Sequence, residues 1–97
     1  MSLMELREEI NVIDQELVQL FCKRMEVSSR IADYKKEHGL PIYHPTREEE
    51  VLQRVSSMAG QELEAYVQPL YRNIFELSRQ YQASRNDEKE SSIGGIL

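Results

Sequence analysis

Apolar residues recur along the first third of the chain at alternating intervals of three and four: Leu3, Leu6, Ile10, Ile13, Leu17, Leu20, then Val27, Ile31 and Tyr34. Such spacing is a heptad-like seam. It predicts one helix from about Leu3 to about Glu37, roughly 50 Å long at 1.5 Å per residue. Nothing interrupts it before Gly39 and Pro41, which supply the stop. The position missing from the seam is occupied by Arg24. A guanidinium on a face built for burial costs several kcal/mol, on the order of other unpaired buried charges, unless an anion meets it. No acidic residue stands one turn away on that face: 20 is Leu, 21 is Phe, 27 is Val and 28 is Ser. Either another segment supplies a carboxylate or a ligand does. The plainer alternative is a polar residue that specifies the register of a coiled coil.

Downstream, the segment from His38 to Pro45 reads as a loop with two prolines. Thr46 with Glu49 has the form of a capping box and predicts the N-terminus of a second helix. Val51, Leu52, Val55 and Met58 would be its inner face, and Gly60 would end it. A third helix carries Val67, Leu70, Ile74, Leu77 and Tyr81 at helical spacing. Pro69 is tolerated only near a helix start, so regular helix should begin between Leu63 and Gln68. From Asn86 the chain loses periodicity, so residues 3–85 read as the domain and 86–97 as a tail or linker. Two short helices cannot cover both flanks of so long a first helix. Burying the seam asks for a second copy of the chain across a two-fold axis. The expected fold is therefore all-α, three helices per chain, in an intertwined homodimer.

Composition narrows the partners. A net charge of −5 argues against nucleic acid, and no apolar run approaches the roughly 20 residues of a membrane span. The N-terminus lacks a signal-peptide pattern and Cys22 stands alone, which points to a reducing cytoplasm. Cys22 has no histidine placed near it by sequence and makes a poor nucleophile. His38 and His44 are too few for a metal site. Met4 is a second candidate start, so the first residues are of uncertain origin.

Against that acidic background, inward cations carry meaning. Lys35 lies within about 40° of Arg24 around the helix, as do Ser28 and Ile31. Read alone, Lys35 is more simply a snorkelling lysine at a helix end. Arg47 and Glu48 each stand four before a core residue of helix two, Val51 and Leu52. Arg47 sits where the helix dipole disfavours a cation, although a surface pair with Glu50 would also account for it. Ser78 and Gln82 extend the stripe of Ile74 at intervals of four. Arg7 is some 25 Å from Arg24 along the same helix and could reach only a partner's site. Together these describe a pocket for a small dianion bearing a hydroxyl, without paired acid and base, metal cluster or activated nucleophile.

Four segments, "LREEINVIDQELVQLFCKR", "IADYK", "PIYHPTREEEVL" and "ELSRQYQ", closely resemble the all-helical chorismate mutases from about Glu5 to Gln82. The resemblance implies an interlocked dimer of three-helix chains. It implies a cofactor-free rearrangement of chorismate to prephenate in phenylalanine and tyrosine biosynthesis. The family's site residues fall on Arg7, lent by the partner, and on Arg24, Lys35, Arg47, Glu48, Ser78 and Gln82. Lys35 and Gln82 would meet the ether oxygen, the arginines the carboxylates, and Glu48 the ring hydroxyl. Many members carry Asp where this chain has His44, a substrate contact that changes here. Two alternatives stay open: an isochorismate-pyruvate lyase of the same fold, and a non-catalytic dimerisation or regulatory module. The tail could lead to a fused or associated enzyme of the pathway.

Overall fold

A computed structural model describes the backbone of residues 1–96 and the side chains of residues 1–85. It contains three helices: α1 (Leu3–Glu37), α2 (Pro45–Ala59) and α3 (Glu64–Ile96). The expected tail, 86–97, lies outside the residues with described side chains. No strand occurs among the described residues, and the fold is all-α as expected. No described helix is long and apolar enough to cross a membrane.

Helix α1 has the bounds that its periodicity predicts. Ser2 caps it by accepting the Glu5 N–H at 3.1 Å. Its end is a Schellman turn. Leu40 N–H donates to the Lys35 carbonyl at 2.8 Å, and Gly39 N–H to the Lys36 carbonyl at 3.4 Å. Gly39 takes φ +65, which a glycine adopts freely. The turn folds the 38–44 loop back toward the last turn of α1.

The start of α2 differs from expectation. The helix begins at Pro45, and its N-cap is His44, not Thr46. The physical reason is the proline. Its fixed φ suits the first helical position, and the residue before a proline is pushed out of the helical region. His44 accordingly sits at φ −131, ψ 86, and its ring accepts the Arg47 N–H. Helix α3 begins at Glu64, early in the expected window, so Pro69 falls in the second turn and leaves one helical hydrogen bond unmade.

Helix α3 packs against both α2 and α1. The core is small: Val51, Leu52 and Val55 of α2 close on Phe75 of α3, with Val67 and Tyr71 partly buried against them. Met58 points away and is exposed. The buried face of α3 is Tyr71, Phe75, Ser78 and Gln82, one residue round from the stripe that apolar spacing picks out. Of that stripe, Leu70, Leu77 and Tyr81 are exposed. On α1 the buried residues are the small ones, Ser28, Ser29 and Ala32, while the seam stays open. Residues 1–23 are exposed throughout, Leu17 at 57% and Leu20 at 62%. The first half of α1 is an arm whose apolar seam is left uncovered among the described residues.

Gly60 joins α2 to α3 at φ +83, ψ 168, a region open essentially to glycine alone. A Cβ there would meet nothing within 4 Å, so any cost of adding one is backbone strain. Gly60→Ala should therefore destabilise the fold by about 1–3 kcal/mol. Urea unfolding at fixed protein concentration measures this, and an unchanged midpoint would contradict it.

Candidate active site

The site starts from the joint between α1 and α3. Because Ser28 and Ala32 are small, the two helices approach closely enough for polar side chains to bridge them. Gln82, 6% exposed, donates from Nε2 to the Ser28 carbonyl at 2.9 Å. That bond fixes the amide's orientation and leaves its second N–H for the cavity. One turn before Ser28, Arg24 donates from Nη1 to Ser78 Oγ at 3.2 Å. Its guanidinium carbon lies 5.8 Å from the ring centres of Tyr71 and Phe75. Ser78 in turn donates to Met25 Sδ at 3.7 Å. Among the described residues Arg24 has no carboxylate partner; a hydroxyl and two ring faces are what it meets.

Lys35 is placed by the Schellman turn. Its ammonium donates to the Ile42 carbonyl at 2.8 Å, which ties the returning loop to α1 and leaves two donors unspent. His44 accepts the Arg47 N–H at Nδ1, 3.0 Å away, so the neutral ring carries its proton on Nε2. An aspartate at an N-cap accepts the same kind of bond. His44 thus performs the capping function that an aspartate could serve at this position. Arg47 is paired with Glu50 at 3.6 Å, both side chains well exposed. Glu48 is less exposed and pairs with Arg79 of α3. The Arg79 guanidinium is raised above its ordinary pKa by the hydrogen bond to Glu48. Partial burial opposes that shift, and the charges of Glu48, Tyr43 and Glu76 add to it.

These side chains line one cavity of about 190 Å³. Of the residues singled out from sequence, Arg24, Lys35, His44, Arg47, Glu48, Ser78 and Gln82 all face it. Arg7 does not; it is on the exposed arm. Ile31, Ile42, Val51 and Phe75 give apolar wall. Sequence reasoning noted Ser28 only as a neighbour of Arg24 and gave no role to Arg54 or Arg79, which also line the cavity. Arg79 meets Glu48 across 31 positions of chain, a separation that no helical spacing rule connects. The lining holds five cationic side chains (Arg24, Lys35, Arg47, Arg54, Arg79) and one carboxylate, Glu48. In a chain of net charge −5, that is a local field for an anion. Oriented N–H donors, cations such as Arg24 and Lys35 on neutral partners, and one acceptor suit binding and charge stabilisation.

The cap predicts a separation of effects at position 44. His44→Ala should cost about 1 kcal/mol of stability through the lost N-cap, whereas His44→Asp should retain the stability of the parent. Thermal unfolding of the three proteins checks this; equal losses in both variants would refute the capping role.

Comparison with known proteins agrees with the geometry. The sequence pattern of the family described as chorismate mutase type II matches residues 6–83. The T-protein of Haemophilus influenzae is 52% identical over 52 residues, 54% of this chain and 14% of that protein. The bifunctional chorismate mutase/prephenate dehydratase of Aquifex aeolicus is 40% identical over 54 residues, 56% of this chain and 15% of that protein. The chorismate mutase of Methanocaldococcus jannaschii is 30% identical over 57 residues, 59% of this chain and 58% of that protein. The matched segment thus spans about a seventh of the first two relatives. No solved structure gives a significant match.

Proposed function

Since the chain belongs to the chorismate mutase type II family, we propose that it rearranges chorismate to prephenate, as a homodimer and without a cofactor. The observation that carries this is the meeting of Arg24, Lys35, Ser78 and Gln82, from both ends of the chain, in one cavity where Arg24 lacks a carboxylate. A dianionic substrate supplies what the cavity wants. Its two carboxylates would take Arg24 and Arg47, the second releasing an exposed pair with Glu50 that is worth little. Held at both ends, the enolpyruvyl side chain lies over the ring in the reactive conformer, which converts conformational search into binding.

The rearrangement breaks the ether C–O bond as a C–C bond forms, and charge grows on the ether oxygen. Gln82 and Lys35 are the donors for that oxygen. Gln82 is pre-oriented by Ser28 and Lys35 by the loop carbonyl of Ile42. Donors fixed in advance cost no reorganisation when the charge appears, and one is typically worth about 10²–10³ in rate. Glu48 accepts from the ring hydroxyl, and Ser78 and His44 complete the polar wall.

The dimer is supported by the uncovered arm: Leu3, Leu6, Ile10, Ile13, Leu17 and Leu20 are exposed at helical spacing. Laying that arm across a second copy would bury the seam and carry the partner subunit's Arg7 to the cavity. The reaction belongs in the cytoplasm, where Cys22 stays reduced. The long relatives, of which the matching segment is a small part, support a neighbouring enzyme of the pathway fused or associated after the tail.

Incubation with chorismate, followed by loss of its absorbance and appearance of prephenate, tests the activity. Arg24→Met should lower turnover at least about 100-fold. It should also leave the melting temperature equal or higher, because a like charge leaves the empty cavity. If the parent protein leaves chorismate unchanged, it is not a mutase. If Arg24→Met unfolds it, Arg24 is structural.

Mixing two inactive variants, Arg7→Ala and Arg24→Ala, tests the lent arginine. Subunit exchange should create mixed dimers with one intact site and recover activity. Exchange verified by mass spectrometry with no recovery would remove Arg7 from the site.

A further inference from the structure

We propose that Arg79 is a positioning residue: it ties the Glu48 carboxylate to the α3 wall and so keeps it from neutralising the cations that bind substrate. The proposal rests on the mutase function above and adds to it a residue with no assigned part.

Three observations lead to it. Arg79 Nη1 donates to Glu48 Oε2, joining α3 to α2. The same guanidinium stacks over the Tyr43 ring at 4.7 Å, so the loop before α2 is fastened to the pair. Both Arg79 and Glu48 face the substrate cavity on one side and an outer cleft with Tyr43, Arg72 and Glu76 on the other. The pair is the wall between the two.

Its energetic role in folding is small. The side chains keep 33% and 25% of their exposure, and the core of Val51, Leu52, Val55 and Phe75 closes without them. Partly exposed ion pairs contribute about 0–1 kcal/mol. The directional role is larger. Glu48 is the one carboxylate among the described residues of a cavity lined by Arg24, Lys35, Arg47 and Arg54 besides Arg79. Arg24 and Lys35 have neutral partners, a hydroxyl and a carbonyl. A Glu48 freed from Arg79 would turn to one of them. It would then compete with a substrate carboxylate for the clamp and cease to offer an acceptor to the ring hydroxyl. One guanidinium on α3 thereby keeps an acceptor in place and leaves Arg24 and Lys35 with their neutral partners.

The discriminating signature is a reversal in binding. Arg79→Met should raise KM for chorismate about tenfold and lower kcat, with the melting temperature nearly unchanged. Adding Glu48→Ala to that variant removes the competing carboxylate. KM should then fall back toward that of Glu48→Ala alone, although kcat stays low; with slow chemistry KM approximates the dissociation constant. Arg79→Lys, which keeps the charge, should hold KM close to that of the parent. If Arg79→Met unfolds, Arg79→Gln takes its place in the same comparison. The proposal is overturned if the double variant binds chorismate as weakly as Arg79→Met, which makes Arg79 a direct substrate ligand. It is also overturned if Arg79→Met has the kinetics of the parent. An inactive parent protein would instead overturn the mutase function itself, and that assay comes first.

Discussion

The site depends on two of the hydrogen bonds that bridge α1 and α3: Gln82 to the Ser28 carbonyl and Arg24 to the Ser78 hydroxyl. The buried positions of α1 beside them are small, Ser28, Ser29 and Ala32, which leaves room for polar side chains to span the gap. A leucine at 28 would push the helices apart. The joint leaves each donor only partly satisfied. Arg24 has a neutral partner for a full charge, and Gln82 keeps one N–H in hand. A folded chain with underused donors is poised for a ligand that completes them.

The same arrangement costs stability. Among the described residues five cations share one cavity with a single carboxylate, and like charges in a partly desolvated space repel. The rest of the molecule bears that cost with a small core of Val51, Leu52, Val55 and Phe75. Each such buried side chain contributes about 1.5–3 kcal/mol, a modest total against the ordering of three helices. The uncovered apolar surfaces of α1 and α3 are where further stabilisation is available. In the proposed dimer a second copy of the chain would bury them and bring its arginine at the same time, which would make folding, assembly and site completion one event.

The loop between α1 and α2 shows how local chemistry transmits to the cavity. The Schellman turn at Gly39 returns the chain, Lys35 catches it at Ile42, Tyr43 lies under Arg79, and His44 caps α2. Each of these contacts holds a residue that lines the cavity or adjoins one that does. His44 caps α2 by accepting the Arg47 N–H, so the helix start is set by a ring that also lines the cavity.

Sequence alone determined the bounds of α1, because a continuous 3–4 periodicity with a glycine stop leaves a helix no earlier place to end. It also brought Arg24, Lys35, Arg47, Glu48, Ser78 and Gln82 into view as polar residues on or beside apolar faces. On α3 it read Ser78 and Gln82 as inward, as they are, but Leu70, Leu77 and Tyr81 of the apolar stripe are exposed, and Tyr71 and Phe75 pack on the core in their place. Periodicity finds apolar stripes but cannot say which one meets its own chain and which is left for a partner. The cap of α2 was misread for a local reason: a Thr-x-x-Glu pattern outweighed the fixed φ of Pro45. Arg79 was invisible for a global one. Its meaning lies in Glu48 and Tyr43, distant in sequence and adjacent only after α3 folds against α2. Spacing along a helix reports neighbours within a few residues; which charges pair across helices is decided by packing.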